Sequence, residues 1–228
     1  HTDSIDYNEE FDQILLSVHH FNEIWIIDHS TTTVEAAGHS GGNSGKGGDL
    51  LYRWGNPIAY RAGNLSDQQF FGQHDATWIE HDCPGAGNIL VFNNGAGRPG
   101  EPFSSVDELV PPVNTTGNYA LEPGSAYEPG NPIWSYTADP LESFYSSYIS
   151  GAERLPDGDT LICDGAAGRF FEVTVEKETV WEFINPYPMP SLNNVFKVCY
   201  VPPGSPHPGA PNLDCTGSLS WRRVKPGD

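Results

Sequence analysis

One layout of strand, turn, strand, turn, strand recurs along this chain, and it restricts the fold more than any other feature. It appears first from His1 to Asp28, in HTDSIDYNEEFDQILLSVHHFNEIWIID. It returns at His74 in HDATWIEHDCPGAGNILVFNNGAGRP and, without the histidine, at Ser150 in SGAERLPDGDTLICDGAAGRFFEV. The endings agree as well: LLYRWGNP, IWSYTADP and TVWEFINPY each alternate apolar residues with aromatics before Asn/Asp-Pro. A supersecondary unit repeated in this way is the signature of a β-propeller blade. The repeats span about 1–56, 74–140 and 148–187, and a partial unit over 194–228 begins NVFKVCYVPP. The expected fold is all-β: one propeller domain, or a fragment of one, with three four-stranded blades and part of another. Closed propellers usually have four to eight blades, so the chain is expected to be the C-terminal part of a larger one.

Several elements can be placed from the pattern alone. Strands are expected at Ser4 to Tyr7, Gln13 to Val18 and Glu23 to Asp28, with an outer strand in DLLYRWG. Asn88 to Phe92 reads as the central strand of the second repeat. LPDGDTLICDG has Asp-Gly between two strand-forming runs, a strong hairpin signal. The Gly/Ser-rich stretch Thr31 to Gly48 reads as a loop. Trp54, Trp134 and Trp181 stand at strand ends with core spacing.

Composition supports many short strands joined by turns: 25 Gly and 20 Pro leave little room for long helices. Thirty acidic residues against 11 basic ones give a formal charge of -19, which repels nucleic acid and anionic membranes. Any anion site must therefore be a local cluster of His, Arg and backbone N–H groups. No apolar run approaches the ~20 residues of a membrane span. The four cysteines, Cys83, Cys163, Cys199 and Cys215, form no CxxC, so a thiolate zinc site is not expected. Cys199 and Cys215 flank a Pro-rich loop and either close it as a disulfide or remain thiols. No cofactor and no metal are expected. The chain opens without an initiator Met, so it is expected to be a processed product or a stretch of a longer one.

The chemistry is expected where inner strands converge at the mouth of the propeller channel. His1 and His74 fall at matching places in their repeats, with Ser150 as the third counterpart. His19 follows the second strand of its repeat, as Asn93 and Asp164 do in theirs. Converging imidazoles suit nucleophilic and acid–base catalysis, metal binding, or a structural role between blades.

The wording HTDSIDYNEEFDQILLSVHHFNEIWIID, then GQHDATWI, then LPDGDTLICDGAAGRFFEV resembles the arylsulfotransferase family from His1 to about Pro203. The resemblance implies a six-bladed propeller in the periplasm or outside the cell. It implies sulfuryl transfer from an aryl sulfate ester to a phenol acceptor, carried transiently by a histidine. By that resemblance His74 is the sulfuryl carrier, and His1 and His19 are catalytic partners. His20, Asp3, Ser146 and Ser147 then fall at substrate-binding positions. Two departures stand out: Asp3 replaces an Asn of the family pattern, and His19 replaces an Arg, whose charged fork suits oxyanions better than imidazole does. A homo-oligomer and a non-catalytic binding or structural propeller are the other expectations left open.

Overall fold

In the computed structural model, residues 1–189 and 191–201 are described. Twelve strands form three four-stranded sheets, each a simple antiparallel meander in chain order. The first sheet holds β1 (Thr2–Asn8), β2 (Gln13–Val18), β3 (Glu23–Asp28) and β4 (Tyr52–Trp54). The second holds β5 (His74–Trp78), β6 (Ile89–Asn93), β7 (Ser105–Leu109) and β8 (Trp134–Tyr136). The third holds β9 (Gly151–Arg154), β10 (Thr160–Asp164), β11 (Arg169–Val173) and β12 (Thr179–Ile184). These are the three expected blades. Residues 194–201 carry no strand, and the rest of the expected partial unit lies outside the described residues.

The sheets stack through two apolar cores, and β6 shows why its sequence looks as it does. Ile89 and Val91 enter the core shared with the first sheet, where they meet Leu15, Ile24 and Ile26. Leu90 and Phe92 enter the core shared with the third sheet, where they meet Ile162, Phe171 and Val173. A strand buried on both faces reads as an unbroken apolar run, while period-2 burial persists in the structure. Each fully buried side chain of this kind contributes roughly 1.5–3 kcal/mol. Trp54 is buried in the first core, Trp134 packs at the edge of the second, and Trp181 is half-buried on β12.

The first strand of each blade is a sheet edge, and its backbone groups need partners. Side chains of the preceding blade accept from these strands. Ala76 N–H donates to Ser4 Oγ (2.9 Å), Trp78 N–H to Asp6 Oδ2 (2.7 Å) and Ala152 N–H to Asp75 Oδ2 (3.2 Å). A buried ion pair adds to the second seam, with Arg154 Nη2 2.7 Å from Glu108 Oε2.

The stretch expected as an uninterrupted loop contains one helical turn, α1 (Thr33–Ala36). Thr32 caps it by accepting from Glu35 N–H, and Glu35 returns a bond to the Thr32 backbone. This reciprocal box stabilises a turn that Gly- and Ser-rich surroundings conceal. Cys83 and Cys163 are buried thiols; burial pushes Cys163 up to about 12. Cys199 is exposed, and its expected partner Cys215 lies outside the described residues.

Candidate active site

β1 packs beside β5, and the leading ends of these two strands carry the histidines. His74 is the first residue of β5, and His1 immediately precedes β1. His19 and His20 form a 3-10 turn with Phe21, closed by Asn22 in the left-handed region. The His19 N–H donates to the His1 carbonyl at 3.1 Å, which pins that turn to the head of β1. Gly72 holds the opposite side at φ +65°; a Cβ there would stand 3.2 Å from His19 Cε1, so the close approach requires glycine.

Four rings are thereby gathered. His1 stacks on His19 with centroids 4.8 Å apart, and His74 meets His19 edge-on at 4.9 Å. His20 stands 5.0 Å from His1 and 5.2 Å from His19, on the exposed side. The structure brings together all four histidines expected at the site.

The matching of His1 with His74 is off by one ladder position. Thr2 lies opposite Val18 and His74 opposite Phe92, so His74 is already inside its strand while His1 stands before β1. Each strand also carries a bulge just after this point, between Thr2 and Ser4 and between His74 and Thr77. A bulge inserts an unpaired residue and re-aims its side chain. In β1 that residue is Asp3.

Asp3 turns into the cluster. Its side chain is 2% exposed, with Oδ2 3.7 Å from His19 Nδ1 and 3.8 Å from His74 Nε2. Both carboxylate oxygens are buried, and among the described residues neither makes a well-formed hydrogen bond. Burial raises the Asp3 pKa, and the nearby Ser17 hydroxyl, His74 and His19 offset only part of that effect. His19 moves the other way: burial, then repulsion from His74, lowers its pKa and favours the neutral ring.

The orientation of His74 depends on Asn94, which stands in the turn Asn93-Asn94-Gly95. His74 Nδ1 lies 2.8 Å from Asn94 Oδ1 and 3.2 Å from the Gly72 carbonyl. The Asn94 amide donates to the carbonyls of Ser146 (2.7 Å) and Ile149 (2.9 Å), which fixes its oxygen toward the ring. His74 therefore carries its proton on Nδ1, and its Nε2 lone pair points to Asp3 and the cluster. Ile149 and Ser150 both adopt positive φ (50° and 86°), a cost accepted where the chain presents these carbonyls. Asn93, expected near the rim, instead ties blade segments together: its Oδ1 accepts from Phe71 N–H, and its amide donates to Gln69 O and Asp107.

Ser146 and Ser147 stand differently from the expectation. Ser146 is buried, but its hydroxyl faces Ser150 Oγ (2.8 Å) and the Ala166 N–H (3.1 Å). What it contributes to the site is its carbonyl, through Asn94. Ser147 is exposed. Ser150 supports Gly165 N–H and is not a third cluster residue. No sequence motif marks Arg98. It lies over the rings of Phe103 (4.2 Å) and Phe71 (5.3 Å), and its Nε and Nη2 are buried without acceptors.

Residues 1–186 match the family model described as Arylsulfotransferase (ASST). No curated protein matches. Among solved structures, a protein of unknown function from Bacteroides caccae aligns with 80% of this chain at 13% identity and a TM-score of 0.42. The chain spans 45% of that protein's length. With the family model covering most of its residues, the chain belongs to the arylsulfotransferase (ASST) family.

Proposed function

We propose that this protein transfers a sulfuryl group from an aryl sulfate ester to a phenol, with His74 as the transient carrier. The observation that carries the reading is the Asn94 clamp. It holds the His74 proton on Nδ1 and leaves the Nε2 lone pair directed into the cluster. An imidazole so held presents a lone pair as a nucleophile.

In the first half-reaction, His74 Nε2 attacks sulfur, forming an N–S bond. The S–O bond to the aryl group breaks, and its electron pair leaves with the phenolate. The ring then carries positive charge, stabilised by the Nδ1–H bond to Asn94. In the second half-reaction, an acceptor phenol gives its proton to His19, which its lowered pKa keeps neutral, and its oxygen attacks sulfur. The N–S bond breaks and its pair returns to Nε2. Asp3 in its protonated form donates to a sulfuryl oxygen; in its ionised form it repels the ester. Its raised pKa favours the protonated form, so the transfer rate falls as pH rises through that value.

The test follows nitrophenolate release from p-nitrophenyl sulfate with a phenol acceptor, using the full chain. Acceptor-dependent release that His74→Ala abolishes is the expected result. Asn94→Ala leaves the ring free to take either tautomer and slows transfer about 10–100-fold, by analogy with partners that orient metal-bound histidines. One observation favours a non-catalytic binding propeller: the Asp3 carboxylate stands beside Nε2, where an anion would have to bind. Absence of release from folded protein between pH 4 and 8 would decide for that reading.

A further inference from the structure

We propose that His1, Asp3, His19 and His74 form a binding site for a divalent first-row metal ion of the zinc type. Each of the four offers one ligand atom, and those atoms lie within 4.8 Å of one another. A tetrahedral zinc site with ~2.0–2.1 Å bonds to nitrogen and oxygen sets its ligands about 3.3 Å apart. The Asp3 contacts to His19 and His74, at 3.7 and 3.8 Å, are already close to that spacing. His1 is exposed and stacked on His19, and its ring already offers a nitrogen within 4.8 Å of the other three ligand atoms.

The second observation is independent of the ligand spacing. Asp3 is a carboxylate that is 2% exposed, and among the described residues no lysine or arginine lies against it and only the Ser17 hydroxyl stands near enough to offset its burial alongside the histidines. Burying such a group without a partner is costly, and the structures that tolerate it supply a cation. The nearest comparable carboxylate, Asp75, has one: Lys197 Nζ lies 2.6 Å away. Around Asp3 there are imidazoles, which are metal ligands when neutral. His74 also has the outer partner typical of metal-binding histidines, since Nδ1–H donates to Asn94 and Nε2 is left for the ion. Three imidazoles and one carboxylate suit zinc and its neighbours better than magnesium or calcium, which prefer oxygen ligands.

This site shares His74 with the sulfuryl-transfer reading but does not depend on it. A metal ion on Nε2 occupies the lone pair that attack on sulfur requires, so the metal-loaded form does not transfer through His74.

Metal-stripped full-chain protein titrated with Zn²⁺ in a calorimeter provides the test, with Co²⁺ absorption as a second readout. The expected result is one equivalent bound at micromolar affinity or tighter, with Co²⁺ showing the d–d band of a tetrahedral site. Asp3→Asn and His19→Gln each weaken binding at least about tenfold and diminish the band. His39→Ala, an exposed histidine paired with Asp49, leaves both unchanged. No saturable binding would overturn the proposal, as would binding that Asp3→Asn and His19→Gln leave intact. Nitrophenolate release is measured separately on the stripped protein, so failure of transfer and failure of metal binding are read in different experiments.

Discussion

Two aspartates, Asp3 and Asp75, sit in equivalent bulges of adjacent blades and have opposite fates. Both side chains are nearly closed off from solvent, at 2% and 8% exposed. Asp75 lies against Lys197 and accepts from Ala152 N–H, and Gly151 makes room for it, because any Cβ there would overlap its carboxylate. It acts as a fastener between the second and third blades. Asp3 faces three imidazoles and has no fixed partner. The same backbone device thus makes a seam in one blade and turns a carboxylate in among the histidines in the other. What distinguishes the two is whether the neighbouring chain supplies a cation and an N–H.

If the comparison is right, Asp75→Asn has the largest effect on stability. It leaves Lys197 near a neutral amide and costs about 2 kcal/mol in urea denaturation, a figure reduced because Lys197 is itself 35% exposed. A cost near zero would break the comparison, since Asp75 would then fasten nothing. Asp3→Asn is expected to act in the other direction and stabilise the metal-free protein by about 1 kcal/mol at neutral pH, because it removes a buried charge without a partner. Destabilisation would show that the carboxylate is already satisfied.

The smallest effect is the most discriminating. Because burial raises its pKa, Asp3 holds its proton more tightly in the folded chain than in the unfolded one. Its contribution favours folding fully below the ordinary carboxylate pKa and is lost as pH rises through the raised value. The advantage of Asp3→Asn over the wild type should therefore fade as the pH is lowered and vanish below the ordinary carboxylate pKa of about 4. Denaturation curves across that range measure it. A difference independent of pH would mean that charge is not the cause.

The blades were legible because their strands are periodic and their hairpins carry turn residues. β2 and β3 fall where apolar alternation puts them, and Asp157-Gly158 turns the chain into β10. The histidine cluster was legible because the repeat sets the heads of β1 and β5 side by side, although His1 and His74 stand one ladder position apart. The rest depended on features that leave no mark in a single sequence. The extra residue in β1 that aims Asp3 inward is invisible until β1 pairs with β2. Asn94, in Asn-Asn-Gly, looks like an ordinary turn residue, and only tertiary contacts with Ser146 and Ile149 show that it orients a ring. Ser146 meets the site through its carbonyl, which no side-chain motif records.

The Asn94 clamp makes the first two blades report on the third. The groups that lock the amide lie 52 and 55 positions further along the chain, in the segment that leads into the third sheet. Without them the ring of His74 is free to exchange its proton between nitrogens. A chain halted partway through assembly would hold every histidine of the cluster and still lack the clamp on His74. On the sulfuryl-transfer reading proposed above, the orientation of the carrier ring is thus set only when the chain beyond the second blade is in place.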